Sequence, residues 1–582
     1  MKLNIKDIKT KVIKGVSKVH YEFNDEAPWL KYYEDLNYPK HINYPECTIY
    51  ELLKESVIKY PNYYAYEYFG IKVTYQKFDE KIRRCAMSLQ HIGVTSNDTV
   101  TILMPNTPEA IIMFYACNMM GAVANMVHPL SSEGEIEFCL NKAQSNYIIT
   151  LDALYDKLHG IKNKVKLKKI ILSRVNESMP LVTSSLFWLT RGRKIKKENS
   201  YTDNVIKWKD FIYEGRNEDL ILSHKDTKEL AVILYSGGTT GTPKGIMHSS
   251  YNFNVSALQN RTVCPGVEPG NCILSIMPIF HGFGLAICFH TVLAAGMKAI
   301  IIPKFTPEEF GKLIKTYKPN FILGVPTLFE ALLQTKLKPD GLSFVKTFVA
   351  GGDALTSELQ ARVNTYFKEH GCDNEIRVGW GMTECVSSAT VTPVGNFLPG
   401  SIGIPNPDVF VKIVKTGTEE NAYYDEDGEI CVSAPMVMMG YLDEPEETAI
   451  TLRHHKDGKL WLHTGDMGSM NKDGMIFFKS RIKRMIISSG YNVYPNHVEN
   501  VINSHPKVLT SIVVAGPHPY KGEIVKAYVV LKPNYKQNAK IDNEIREHCK
   551  MNLAKYMLPA TIDYRETLPT TKLGKADYRN VK

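Results

Sequence analysis

Between Val100 and Leu355, short runs rich in isoleucine and valine alternate with longer amphipathic stretches. The runs are Thr99–Met104, Tyr147–Thr150, Lys169–Leu172, Leu230–Leu234, Lys298–Ile302, Phe321–Val325 and Thr347–Ala350. Segments this short and this apolar fit strands buried on both faces, and their separation by helix-length sequence predicts α/β layers. From Ser401 to Lys479 the pattern changes to denser strand and turn signals, such as Asp427-Gly428-Glu429 and Lys472-Asp473-Gly474. Beyond Arg481 a tail of about 100 residues has the size of a small domain. In it Ser511–Ala515 and Lys526–Leu531 read as strands, and Asn492–Ser504 and Ile541–Leu553 as helices. The expected architecture is a large layered α/β domain at 45–480 and a small α+β domain at 481–582, with a basic extension at 1–44. No internal repeat is visible.

With 582 residues, 44% hydrophobic and 23% charged, the chain has room for several cores and none of the apolar depletion of disordered sequence. Its eleven cysteines form no C-x-x-C pair and are odd in number, so they read as reduced, mostly buried thiols rather than a disulfide framework or zinc site. That places the chain in the cytoplasm. A net charge of +9 without a long aromatic-basic stripe gives no support to a nucleic-acid partner. Basic clusters occur at Lys162–Lys169 and at Arg191, Arg193, Lys194, Lys196 and Lys197, the second just after Leu186-Phe187-Trp188-Leu189. A solvated face explains them; weak peripheral contact with anionic lipid headgroups is the other reading. Near the N-terminus Ile5, Ile8, Val12, Val16 and Val19 recur at helical spacing among lysines, without the continuous apolar core of a signal peptide. Ala110–Val127 is apolar but interrupted by Asn118, Gly121 and Asn125, so a helix buried against a sheet is expected there rather than a membrane span.

Directly after Leu230–Leu234 comes Tyr-Ser-Gly-Gly-Thr-Thr-Gly-Thr-Pro-Lys-Gly, residues 235 to 245. Glycines let successive backbone N–H groups converge on an anion, while Ser236, Thr239, Thr240, Thr242 and Lys244 add hydroxyl donors and a cation. The spacing differs from G-x-x-x-x-G-K-[ST], so this is another kind of phosphate loop; a flexible surface turn is the bland alternative.

This loop is one of seven motifs in order. The others are Pro278-Ile279-Phe280-His281-Gly282-Phe283-Gly284, Gly351-Gly352, Gly379-Trp380-Gly381-Met382-Thr383-Glu384, Trp461-Leu462-His463-Thr464-Gly465-Asp466, Arg481 to Glu499, and Gly574-Lys575. Together they resemble the adenylate-forming superfamily of acyl-CoA synthetases, amino-acid adenylation domains and luciferases, over residues 45 to 575. The resemblance implies that a carboxylic acid is joined to AMP from ATP with Mg²⁺, then passed to a thiol such as that of coenzyme A. It implies that Ser236, Gly237, Gly238, Thr239, Thr240, Gly241 and Lys244 cradle the β- and γ-phosphates. Thr383 would touch the α-phosphate and Glu384 would hold Mg²⁺. Asp466 would accept from the ribose hydroxyls with Arg481 nearby, and Gly352, Trp380 and Gly381 would complete the nucleotide contacts. Lys575 would bridge carboxylate and phosphate during adenylation, and Gly490 would line the path of the thiol. The small domain would turn about Lys483 between the two half-reactions. Two departures stand out: Trp380 where tyrosine is usual, and Ser480 where glycine is common.

The acid is narrowed by what is missing. Amino-acid adenylation domains carry an aspartate for the substrate ammonium, whereas no acidic residue lies between Met277 and Cys288. Phe280, Phe283, Leu285, Val325, Pro326, Leu328, Trp380 and Met382 would make an apolar pocket, and His281 by resemblance sits beside the acyl carbon. A medium- or long-chain fatty acid is therefore expected. An aryl acid, or an acyl or amino-acyl group loaded onto a separate carrier protein, is the alternative.

Overall fold

All seven apolar runs are strands, divided between two sheets. The computed structural model describes residues 27–190, 204–222, 225–236, 243–488, 491–518, 522–570 and 576–581. The first sheet has eight strands in the order Gly440–Tyr441, Lys244–Ser249, Leu230–Ser236, Val123–Met126, Thr99–Leu103, Tyr147–Leu151, Lys169–Ser173 and Val205–Lys207. Every pairing from Leu230–Ser236 to Val205–Lys207 is parallel, whereas Lys244–Ser249 folds back antiparallel on Leu230–Ser236.

The second sheet has fourteen strands. At its centre Lys298–Ile301, Cys272–Ser275, Phe321–Gly324, Thr347–Gly351 and Ile376–Trp380 run parallel. Beyond Trp380 the pairings become antiparallel through Thr390–Val391, Ser401–Pro405, Ile476–Arg481, Leu460–Met470, Gly428–Ser433 and Phe410–Val414. The change of pattern past Ser401 is thus a change from crossover helices to direct strand returns.

Helix Pro108–Met119 is buried at all of its positions, with Thr107 accepting from the Ala110 N–H as its N-cap. Val123–Met126 then enters the first sheet. Burial in protein, not lipid, accounts for the apolar segment Ala110–Val127; among the described residues no helix is long and apolar enough to cross a membrane. One continuous core joins the helix to both large sheets.

Residues 27–44 dock on this body. Tyr33 donates its hydroxyl to the Pro405 carbonyl at 2.8 Å, and Asp408 accepts from the Ile42 N–H and the Tyr44 hydroxyl at 2.9 and 2.7 Å. The basic amphipathic stretch within residues 1–26 and the cluster Arg191 to Lys197 fall outside the described residues. At the other end, Ile486–Ser488, Tyr491–Val493, Val508–His518, Gly522–Leu531 and Thr561–Tyr564 form a separate five-stranded sheet. Helices Pro495–Asn503 and Ala539–Asn552 cover it around a core of its own.

What positions the site is a shared edge. Cys272–Ser275, Thr347–Gly351 and Ile376–Trp380 deliver motif residues at their carboxyl ends, and Phe321–Gly324 delivers the apolar Val325 and Pro326, at the edge where open α/β sheets bind ligands. Asn106 fixes one of these exits: its amide donates to the Ser275 and Met277 carbonyls at 3.1 and 3.0 Å and accepts from the Ile279 N–H at 2.8 Å. Asn106→Ala leaves these buried groups unpaired, and we expect a loss on the order of 2–4 kcal/mol, read from denaturant unfolding of the large domain. An unchanged midpoint would show that the Met277–His281 exit is held by other contacts.

Candidate active site

The antiparallel return after Trp380 brings three motif residues together. Strand Gly428–Ser433 pairs with Leu460–Met470 so that Cys431 faces His463 and Glu429 faces Met467. One residue, Ile430, thus stands opposite Thr464-Gly465-Asp466, and the surplus is thrown out as a bulge. Gly465 turns it at φ 69°. Thr464 donates its hydroxyl to the Ile430 carbonyl at 2.6 Å, and the Gly465 N–H donates to Glu429 at 3.0 Å. The bulge aims Asp466 inward, where it is buried. The Trp380 indole N–H donates to its Oδ2 at 3.0 Å, and Arg481 Nε lies 3.1 Å from Oδ1. Asp466 and Arg481 are directly paired across the strands, and the carboxylate pushes the guanidinium further towards its charged form. Trp380 thus holds a donor towards the carboxylate although it lacks a phenolic hydroxyl.

Thr383 and Glu384 follow Trp380 on a single tight turn, Thr383–Cys385, and both are buried. The turn is packed closely on both sides. A Cβ on Gly381 would lie 1.8 Å from the Ser387 carbonyl oxygen, and one on Gly282 would lie 2.0 Å from that of Val386. Val386 itself takes φ 62°, a conformation costly for a β-branched residue. His248 anchors the turn by donating from Nε2 to the Thr383 carbonyl at 2.8 Å, its pKa pushed down to about 4 by burial, so it is neutral. Burial raises the Glu384 pKa, partly offset by the Tyr441 hydroxyl, which donates to it at 2.9 Å, and by the Arg481 charge. A buried carboxylate in need of positive charge is a donor suited to Mg²⁺.

Lys244 lies beside this turn. Its ammonium pairs with Glu447 at 2.6 Å and lies 4.9 Å over the Tyr441 ring, so Tyr441 links Lys244 to Glu384. Ser236 ends strand Leu230–Ser236 and is paired with Lys244. Gly237, Gly238, Thr239, Thr240 and Gly241 lie outside the described residues, as do Gly490 and Lys575. Gly352, at φ 80°, follows the strand end where Gly351 pairs with Gly379. His281 opens an uncommon π-helix, Phe283–Thr291, and its Nδ1 accepts from the Phe283 N–H at 3.3 Å. Of the apolar set, Leu285, Pro326, Leu328 and Trp380 are buried, whereas Phe280, Phe283, Val325 and Met382 are half-buried against the core. Tyr441, Glu447 and His248 were not singled out from sequence; Gly-Tyr followed by Pro-Glu-Glu at 440–447 was the signal for the first two.

A strand-end cluster of one buried aspartate, one buried glutamate, an arginine and a lysine beside a glycine-rich loop is the equipment of a nucleotide-dependent enzyme. The model of the AMP-binding enzyme family matches residues 53–442, and that of the AMP-binding enzyme C-terminal domain matches 497–575. The chain belongs to this family of adenylate-forming enzymes, in its acyl-CoA synthetase branch. It is 34% identical to a long-chain-fatty-acid–CoA ligase of Bacillus subtilis (strain 168), over 94% of this chain and 96% of the relative. It is 29% identical to a long-chain-fatty-acid–CoA ligase of Escherichia coli O157:H7, over 95% and 97%. Among solved structures, an anthranilate CoA ligase in complex with anthranoyl-AMP superposes with a TM-score of 0.78 at 21% identity, covering 91% of this chain and 96% of that one. ATP-bound MatB from Rhodopseudomonas palustris gives 0.76 at 23% identity, covering 91% and 97%. Both share the fold of a large and a small α/β domain.

Glu384 yields a test through its titration. Its pKa in the fold lies above the ordinary 4.5, so the stability conferred by its neutral form is complete below pH 4.5 and is lost as pH rises through the raised value. Glu384→Gln cannot suffer this loss. Without ATP or Mg²⁺, the variant should therefore gain thermal stability relative to wild type between pH 5 and pH 8, while adenylation falls on the order of a hundredfold or more. Melting curves whose difference does not change with pH would refute the assignment of a buried, cation-seeking carboxylate.

Proposed function

We propose that this chain is an AMP-forming acyl-CoA synthetase whose acid is a long-chain fatty acid. The observation that carries the reading is the buried Asp466, held between Trp380 and Arg481 within one cluster that includes Glu384. A carboxylate resists attack because its carbon is electron-rich and its leaving group is poor. Joining it to AMP with loss of pyrophosphate makes it electrophilic, and the acyl group then passes to the thiol of coenzyme A. Preorganised donors and cations at the phosphates supply the stabilisation that this transfer needs.

In this reading Ser236, the glycines and threonines to Gly241, and Lys244 hold the β- and γ-phosphates, with Lys244 leaving Glu447 to do so. Thr383 meets the α-phosphate, Asp466 accepts from the ribose hydroxyls, and Gly352, Trp380 and Gly381 bound the base. Glu384 holds Mg²⁺, which supplies charge neutralisation at the phosphates. His281, at the head of the π-helix beside the apolar set, meets the acyl carbon in this reading. Lys575 enters for adenylation, and Gly490 lines the thiol path after the small domain turns about Lys483. The names of the relatives and the absence of an acidic residue between Met277 and Cys288 favour a fatty acid over an amino acid. We place the enzyme in the cytoplasm, with peripheral membrane contact near helix Leu181–Thr190. There Leu181 and Leu189 are exposed just before the basic cluster at Arg191 to Lys197.

The test is pyrophosphate release over fatty, aryl and amino acids, with and without CoA. Thioester should form with long-chain fatty acids and CoA. Release driven by aryl or amino acids instead would move the chain to an aryl-acid ligase or a carrier-loading enzyme. Lys575→Ala should stop pyrophosphate release yet spare thioester formation from supplied acyl-adenylate, and equal loss of both would count against a role confined to the first half-reaction.

A further inference from the structure

Cysteine spacing argues against a zinc site, but spacing tests only ligands that are neighbours in sequence. Across the bulge that aims Asp466, the fold assembles a different set. Cys431 and His463 face each other on paired strands, and Glu429 lies two residues from Cys431, on the same side of its strand. Glu429, Cys431 and His463 offer one ligand atom each, all within 4.8 Å of one another. His463 Nδ1 lies 2.8 Å from Glu429 Oε2 and 3.6 Å from Cys431 Sγ. None of the three belongs to the nucleotide cluster described above.

We propose that Glu429, Cys431 and His463 form a binding site for one Zn²⁺, with the His455 imidazole orienting His463 from behind. The geometry fits a tetrahedral ion. With Zn–N near 2.1 Å and Zn–S near 2.3 Å, the N···S edge of the tetrahedron is about 3.6 Å, the separation already present. The Nδ1···Oε2 pair must open by about 0.6 Å, since the ion replaces their hydrogen bond. The proton balance is explicit. The Cys431 thiol loses its proton to solvent, the His463 proton moves from Nδ1 to Nε2, so that Nδ1 presents a lone pair to the metal, and the His455 proton moves from Nε2 to Nδ1. His463 Nε2–H then donates to His455 Nε2, which already lies 2.9 Å away. An acceptor behind a ligating histidine is the usual device for fixing its tautomer. The displaced His455 proton goes to Nδ1, which is buried and has no hydrogen-bond partner among the described residues.

Charge also balances. Glu429 and the Cys431 thiolate bring two negative charges to the ion, and the neighbouring Lys412, whose field reaches Cys431, is paired with Asp457 at 3.0 Å. Glu429 binds the metal through Oε2 while Oε1 keeps the Gly465 N–H, so the ion ties both strands together beneath the turn that carries Asp466. Water completes the fourth position.

The test uses the full chain stripped with a chelator and dialysed against Zn²⁺ in excess Mg²⁺, which keeps Glu384 from contributing. One Zn²⁺ should bind per chain, with an X-ray absorption spectrum showing one sulfur at about 2.3 Å. Cys431→Ala and His463→Gln should each weaken binding well over tenfold, His455→Ala roughly tenfold, and Cys47→Ala, at the half-exposed cysteine, not at all. If a core variant does not fold, judged by circular dichroism, Glu429→Gln takes its place. Zn²⁺ should also raise the thermal midpoint of wild type and of Cys47→Ala, but not of the Cys431 and His463 variants. No binding below millimolar Zn²⁺, a coordination shell without sulfur, or undiminished binding in the folded Cys431, His463 or Glu429 variants overturns the site. These measurements need no acid substrate, so their failure leaves the ligase reading standing.

Discussion

The nucleotide end of the molecule depends on one buried carboxylate. Burying an ionised aspartate is costly unless charge and hydrogen bonds meet it, and Asp466 has both from Trp380 and Arg481. The three residues come from two strand pairings that have no helical crossover between them. Arg481 is set by its register opposite Asp466, and Trp380 by the carboxyl end of the parallel series. Only the bulge at Thr464 to Asp466 lets both reach the same carboxylate. In a regular ladder, alternation would fix the direction of position 466 from its strand neighbours alone.

The same economy explains why Glu384 is tolerated. Its burial favours the neutral acid, and Tyr441 and Arg481 recover only part of the loss. Stability is therefore held back at a position where a cation would restore it, an arrangement expected of a binding site rather than of a scaffold. His248 and the close-packed Gly381 and Gly282 keep the turn in place against that tension, and the strained Val386 sits in the same few residues.

Much of this was legible in the sequence, for a physical reason. The seven strands were visible because burial on both faces writes itself as an uninterrupted apolar run, and each appears within a residue or two of its expected bounds. Helices Pro495–Asn503 and Ala539–Asn552 were visible through their periodicity. The motif residues Trp380, Thr383, Glu384, Asp466 and Arg481 were found by their order along the chain, and the fold brings Trp380, Asp466, Arg481 and Glu384 together. Their partners were not visible. Tyr441 reaches Glu384 across 57 positions and Glu447 reaches Lys244 across 203, pairings decided by the short strand Gly440–Tyr441 adding to Lys244–Ser249. A two-residue strand has no periodicity to read. The Glu429, Cys431 and His463 cluster was hidden in the same way, since His463 meets the other two only through register.

Lys244 connects these levels. Its charge is answered by Glu447, whose carboxyl is held below the usual range chiefly by that lysine, with Lys483 acting in the same direction. Glu447 is therefore shared between the phosphate-loop lysine and the segment Ile482–Arg484 that leads into the small domain. A polyphosphate carries more charge than one carboxylate, so in the proposed function its arrival would draw Lys244 away and leave Glu447 to the field of Lys483. The event at the phosphates then changes the balance of forces on the segment about which the small domain is proposed to turn. Coupling of this kind needs no long relay, because a single exposed glutamate pairs with Lys244 and feels the charge of Lys483.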